Sequence, residues 1–97
     1  MKTEKVAKVL KALSHHKRLE LYLEVARHDE KNFKARKNEC FISDIMESLN
    51  IGAPTVSHHL KELSNADLIT TERRGKFLVA RANKGTLDEA RKVLSIV

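Results

Sequence analysis

Residues 43–63 constrain the fold most. Two short segments there carry apolar residues at helical spacing, and only Asn50-Ile51-Gly52 separates them. Ile45, Met46 and Leu49 mark the inner face of the first; Val56, Leu60 and Leu63 mark that of the second. Ser43 followed by Asp44 suits a helix start. Pro54 suits a first turn, where its missing N–H has no partner to lose. Asn and Gly tolerate positive φ, so the separator reads as a tight turn. Two helices so short and so closely joined predict a helix-turn-helix over 43–63.

The pattern then changes period. The second helix runs out near Ser64-Asn65-Ala66-Asp67. Leu68-Ile69-Thr70-Thr71 and Phe77-Leu78-Val79-Ala80 are β-prone. Glu72-Arg73-Arg74-Gly75-Lys76 between them predicts a hairpin with Gly at its tip, so 68–81 reads as a basic wing. Thr86-Leu87-Asp88-Glu89 has the form of a capping box. It would start a helix carrying Leu87, Ala90, Val93, Leu94 and Val97 on one side.

Upstream, Thr3 is a plausible N-cap for a helix ending near Ala12 to Ser14. Val6, Val9, Leu10 and Leu13 share one face, with Lys5, Lys8 and Lys11 opposite. Ser14 can cap the next helix, about His15 to Arg27. Leu19, Tyr22, Leu23 and Ala26 form one stripe there, and Leu21 and Val25 fall on another side, which predicts a central helix buried on two sides. Periodicity is lost over 28–39, where Lys31 to Asn38 carries four cations and no anion; this segment reads as a basic loop or a frayed helix extension. Cys40-Phe41-Ile42 reads as a brief strand. The expectation is one α+β domain over 1–97, mainly α: a winged helix-turn-helix of about five helices plus a two-stranded hairpin.

Composition narrows the function. The chain of 97 residues has 3 Gly and 1 Pro, which opposes turn-rich sandwiches and barrels. Trp is absent and aromatics are 4%, which opposes a platform for stacking single-stranded bases. No apolar run approaches the ~20 residues of a membrane helix, and Met1-Lys2-Thr3-Glu4-Lys5 does not open a signal peptide. The single Cys40 excludes an internal disulfide framework, and a reducing cytoplasm is the expected setting. Net charge is +6 and the pI is near 9.7, the footprint of a polyanion binder. Residues 1–40 alone hold 11 cations against 6 anions.

With Val56, Leu60 and Leu63 turned to the core, Pro54, Thr55, Ser57, His58 and Lys61 face outward. No acid interrupts Ala53 to Lys61. Such a helix fits a major groove, where Ser and Thr bond either donor or acceptor edges and cations reach guanine or phosphate. Arg73, Arg74 and Lys76 would form a cationic tip for phosphates or a minor groove. The competing reading is an ordinary solvated helix face.

Ala12-Leu13-Ser14-His15-His16-Lys17-Arg18-Leu19 resembles the start of the second helix in the ArsR family of winged helix-turn-helix repressors. Pro54-Thr55-Val56-Ser57-His58-His59-Leu60-Lys61-Glu62-Leu63 resembles that family's recognition helix. Ala66-Asp67-Leu68-Ile69 with Arg73-Arg74-Gly75-Lys76-Phe77 is similar to its strand and wing. The match covers roughly residues 6–82. It implies a homodimer built largely from the first and last helices, bound to a two-fold symmetric operator on double-stranded DNA and repressing transcription. On that basis Val6, Val9, Leu10, Leu87, Ala90 and Leu94 are expected at the dimer interface, and Thr55, Ser57 and His58 at base edges.

The departures matter equally. Many members carry Cys-x-Cys-Asp at the start of the third helix; the equivalent here is Phe41-Ile42-Ser43-Asp44, beside a solitary Cys40. Thr86 to Val97 holds no His or Cys, and Asp88 and Glu89 are better explained as N-terminal helix charges. Neither family metal site can be assembled, so no metal or cofactor is expected.

Other candidates are weaker. His15 and His16 diverge by ~100° on a helix and share no metal easily, although histidines meeting between subunits stay an alternative. His28 reads as a charge near a helix C-terminus. His59 sits beside the apolar stripe and is expected to pack there. Cys40 is either a redox-responsive thiol beside a basic loop or, given Phe41 and Ile42, a buried inert one. No Gly-rich phosphate loop, nucleophile elbow or His-Glu-x-x-His is present, so catalysis is not expected. Besides DNA binding, the open readings are a protein-docking winged helix, an RNA-binding one, and a thiol-responsive repressor.

Overall fold

The computed structural model describes residues 2–34 and 42–95, the side chains of 29–34 excepted. Expectations for Cys40, Phe41 and Val97, and for 35–39 of the basic segment, lie outside the described residues. Among the described residues the order is α1 (Thr3–Leu13), α2 (His16–Lys34), α3 (Ile42–Leu49), α4 (Ala53–Asn65), β1 (Ile69–Arg74), β2 (Phe77–Ala82) and α5 (Lys84–Leu94). This is a winged helix-turn-helix: α3 and α4 form the helix pair, and β1 and β2 the wing.

On α1, Val6, Val9 and Ala12 are buried while Leu10 is half exposed, so the packed stripe lies to one side of the expected face. Thr3 is already helical, and the extended Lys2 occupies the cap position. Ser14 does not cap α2. Its backbone is αR, whereas an N-cap needs extended φ and ψ. Instead its hydroxyl donates back to the Lys11 carbonyl at 2.7 Å, closing α1.

The central helix α2 packs against α1, α3, α4 and β2. Leu21, Tyr22 and Val25 are buried, but Leu19 and Leu23 remain partly exposed, so the buried sector is narrower than two full sides. The helix continues to Lys34, which corrects the loop reading of 28–34 and leaves its helix-extension alternative in place there. Apolar periodicity reports burial rather than helicity. Nothing in 28–34 breaks a helix, since Gly and Pro are both absent.

Ile42 is not in a strand but opens α3, and with Ile45 one turn later it enters the core. The connection to α4 is a Schellman motif. Asn50 N–H donates to the Glu47 carbonyl (3.4 Å) and Ile51 N–H to the Met46 carbonyl (3.1 Å), with Asn50 left-handed at φ 53°. Gly52 is extended at φ −73° and caps α4, so Asn50 alone uses the left-handed freedom. The same motif ends α4. Asp67 donates to Ser64 and Leu68 to Leu63, with Asp67 at φ 59°.

The hairpin pairs Ile69 with Ala82 through Arg74 with Phe77, leaving Gly75-Lys76 as a two-residue turn. Only Gly75 has positive φ (61°), the pattern of a type II′ turn. The paired strands span 69–82, displaced by one residue from the expected 68–81.

The capping box does not form. Helix α5 begins three residues earlier at Lys84, after Asn83 as N-cap, whose N–H donates to the Leu68 carbonyl at 2.8 Å. That tether sets the helix start, and Thr86 turns inward with Ala90, both buried. Leu21, Ile45, Leu63, Leu68 and Ile69 form the centre of a core shared by all five helices and the hairpin base.

Candidate nucleic-acid interface

Burial divides α4 into two faces. Val56, His59, Leu60 and Leu63 are buried, while Pro54, Thr55, Ser57, His58 and Lys61 are exposed. The inner set follows i, i+3, i+4, i+7, so the outer set is the remainder of the same helix. His58 and His59 are adjacent in sequence, yet the ~100° step between helical neighbours puts one outside and the other inside.

The wing lies alongside this face. A cleft of about 190 Å³ separates Ser57 and Leu60 of α4 from Arg73, Lys76 and Phe77 of the hairpin. A second, about 340 Å³, lies between Lys61 and Asn65 on one side and Thr71 and Leu78 on the other. Both share Ser57, Leu60 and Leu78. The Lys76 ammonium stands 5.6 Å from the Phe77 ring centroid, a cation–π distance.

The expected cationic tip is not uniform. Strand side chains alternate, so Arg73 goes with Thr71 and Arg74 with Glu72. Arg73 lines the cleft facing α4, with no ion-pair partner among the described residues. Arg74 donates from Nε to Glu72 Oε1 at 2.9 Å, so its charge is partly offset. The period-two pattern of Glu72-Arg73-Arg74 already contained this separation.

His59 is buried against the α1–α2 turn, as packing beside the apolar stripe predicts. Arg18 Nε donates to its Nδ1 at 3.4 Å, and the His15 ring lies 4.8 Å away between centroids. Burial first, then the charges of Arg18, His15 and His58, hold the His59 imidazole below its usual pKa of 6.5. No sequence signal pointed to Arg18. Its role depends on where α4 comes to lie. Among the described residues no three His, Cys, Asp or Glu side chains gather as a metal site.

Of the side chains expected between subunits, Val6, Val9 and Ala90 are covered within the chain itself, because α1 and α5 pack together. Leu87 is partly buried. Leu10 and Leu94 are the two left to solvent, 47% and 48% exposed. No described helix is long and apolar enough to cross a membrane.

Residues 35–71 match the family described as bacterial regulatory protein, arsR family. A stretch of 47 residues is 38% identical to the transcriptional repressor SdpR of Bacillus subtilis (strain 168), covering 48% of this chain and 52% of that one, about half its length. The arsenical resistance operon repressor of Staphylococcus aureus is 29% identical over 97 residues, all of this chain and 84% of that one. Its counterpart in Staphylococcus xylosus matches with the same identity and coverage. In structure, an ArsR-like transcriptional regulator from Rhodococcus sp. RHA1 superposes with a TM-score of 0.77 at 22% identity, over 96% of this chain and 78% of that one. That likeness concerns the fold, and the sequence matches make the chain similar to bacterial regulatory proteins of the arsR family over the helix-turn-helix.

Proposed function

We propose that the chain is a transcriptional repressor that binds a specific duplex DNA sequence as a homodimer. One observation carries the reading: the exposed face of α4 bears Thr55, Ser57, His58 and Lys61 without an acid, and the wing sets Arg73 and Lys76 beside it across a shared cleft. Helix α4 enters the major groove, with Thr55, Ser57 and His58 at base edges. Pro54, at the start of α4, approaches the backbone along with Lys61. Arg73 and Lys76 hold phosphate or the flanking minor groove, and Arg74 contributes less because of Glu72. The names of SdpR and the two arsenical resistance repressors support repression as the outcome.

Self-association uses the exposed Leu10 and Leu94 of α1 and α5. Val6, Val9, Leu87 and Ala90 support that face from beneath. Two-fold symmetry places half-sites about one helical turn apart, ~34 Å, on a pseudo-palindromic operator. The setting is cytoplasmic, and catalysis has no part in the reading. The chain does not sense metal through the family's usual ligand positions, since Phe41-Ile42-Ser43-Asp44 stands where the thiolates would be.

Selection of bound duplexes from a random pool, at fixed salt and with duplex RNA as competitor, tests the proposal. A two-fold symmetric motif is the expected product. Enrichment of no motif, or equal retention of RNA, rejects sequence-specific DNA binding.

A further inference from the structure

Arg18 joins three parts of the chain. From α2 its Nε donates to Nδ1 of His59 on α4, 41 residues away in sequence. One terminal nitrogen donates to the carbonyl of Ala12 near the end of α1, also at 3.4 Å. The His15 ring, in the α1–α2 turn, packs against the His59 ring at 4.8 Å with a 53° tilt. The His58 ring stands 5.9 Å from His59. His59 is 3% exposed, while Arg18 is half buried and His15 is exposed, so the contact lies at the edge of the core.

The hydrogen bond dictates a tautomer. A neutral imidazole accepts at one nitrogen and donates at the other. Nδ1 accepts from Arg18, so Nε2 carries the proton; among the described residues Nε2 has no partner. A second proton would have to occupy Nδ1, against the guanidinium donor. Protonation therefore removes the bond and sets a cation beside a cation.

We propose that Arg18 is a positioning residue for the reading face of α4: it pins the helix to the α1–α2 turn through His59 Nδ1, and the pin holds only while that ring is uncharged. The inference rests on the DNA-binding role proposed for α4. The charged and titratable groups bearing on His59 are Arg18 from α2, His15 from the turn and His58 from α4 itself, with no carboxylate among them. From α1 the pin uses the Ala12 carbonyl, through Arg18. The lowered pKa of His59 agrees with this surrounding. His58, the proposed base reader, is the next residue along the helix, so loosening the pin misplaces it.

The acid response has a diagnostic sign. A gain of positive charge on an exposed face by itself strengthens attraction to a polyanion. Protonating His59 weakens recognition by freeing α4.

The test measures affinity for a duplex recovered by selection, from pH 8 to pH 5.5 at constant salt. The wild-type chain is compared with His59→Gln, whose amide oxygen accepts from Arg18 and never charges, and with Arg18→Met, which keeps the apolar stem. Wild-type affinity is expected to fall as pH drops through the lowered pKa of His59, by about tenfold once the ring is charged, the scale of one hydrogen bond to a charged group. His59→Gln is expected to bind like wild type at pH 7.5 and to lose that fall. Arg18→Met is expected to bind about tenfold more weakly at pH 7.5. Imidazole ¹⁵N spectra without DNA are expected to show His59 as the Nε2–H tautomer in wild type and as a mixture in Arg18→Met. An Nδ1–H tautomer in wild type, or the same pH profile in His59→Gln as in wild type, overturns the proposal. If selection recovers no duplex, the DNA-binding reading fails on its own, and the tautomer still decides whether Arg18 pins His59.

Discussion

The Lys5 ammonium lies 2.7 Å from the Asp67 carboxylate, tying α1 to the turn that ends α4. Asp67 is itself left-handed at φ 59°, so one residue serves both a backbone motif and a tertiary contact. The Lys5 hydrogen bond and charge hold the Asp67 carboxyl below its usual 3.8, and Asp67 raises Lys5 above its usual 10.5. Both ends are exposed, so the pair is screened by water and salt. The Asp67 contribution is present above pH 3.8 and lost as pH falls through the lowered value; that of Lys5 is present below pH 10.5 and lost as pH rises through the raised one. Asp67→Asn, which keeps a residue tolerant of positive φ, is expected to lower Tm slightly in low salt and not at all in 1 M salt. Asp67→Ala adds backbone strain and is expected to lose more under both conditions. Equal Tm for the two variants would contradict the backbone part of this account.

The left-handed Asn50 links α3 to α4. Asn50→Gly is expected to keep the fold with little change in stability. Asn50→Val, β-branched at positive φ, is expected to cost roughly 1–2 kcal/mol or more by urea denaturation. Equal midpoints for both variants would mean the turn does not depend on that conformation.

Leu63 is fully buried and Leu10 is half exposed, so substitutions there distinguish folding from the self-association proposed for α1 and α5. Leu63→Ala is expected to destabilise the chain by about 2–5 kcal/mol, as buried leucines do. Leu10→Ser is expected to keep secondary structure and shift sedimentation from dimer toward monomer. A Leu10→Ser chain that stays dimeric at micromolar concentration removes Leu10 from the interface.

The wing cations are expected to contribute unequally. Arg73→Ala should lower the magnitude of the salt slope of DNA binding by about 0.9, one phosphate contact. Arg74→Ala should change it less, because Glu72 already offsets that charge. Replacing His58 with Ala should cost ~1–3 kcal/mol and relax preference at one operator position while leaving the slope nearly unchanged. A larger slope change from Arg74 than from Arg73 reverses the assignment of strand faces.

Fold stability should also respond to acid through His59. Its folded pKa is lowered, so below pH 6.5 the unfolded chain binds the proton more readily than the folded one. The His59 contribution is therefore expected to be flat above pH 6.5, to decline below it, and to level off beneath the lowered folded value. Thermal denaturation of wild type and His59→Gln at pH 7.5 and pH 5.5 checks this, and only wild type should show the His59 part of the loss.

Local physics made most of the architecture legible in the amino-acid order. Apolar spacing over Val56, Leu60 and Leu63 placed the inner face of α4, and thereby its outer face, because a helix has one period and one complement. The hairpin followed from β-prone runs around Gly75, whose positive φ suits a two-residue turn. For 28–34 the amino-acid order left a basic loop and a helix extension both open, and the structure takes the helix. The start of α5 was not legible in that order, because a hydrogen bond from Asn83 to Leu68 overrode a local capping pattern. Only the tertiary structure decided that Val6, Val9 and Ala90 are spent within the chain while Leu10 and Leu94 are left over, since exposure depends on which helices meet. It also decided that Arg18 reaches His59, a contact between residues 41 apart that packing in three dimensions creates and helical period cannot encode.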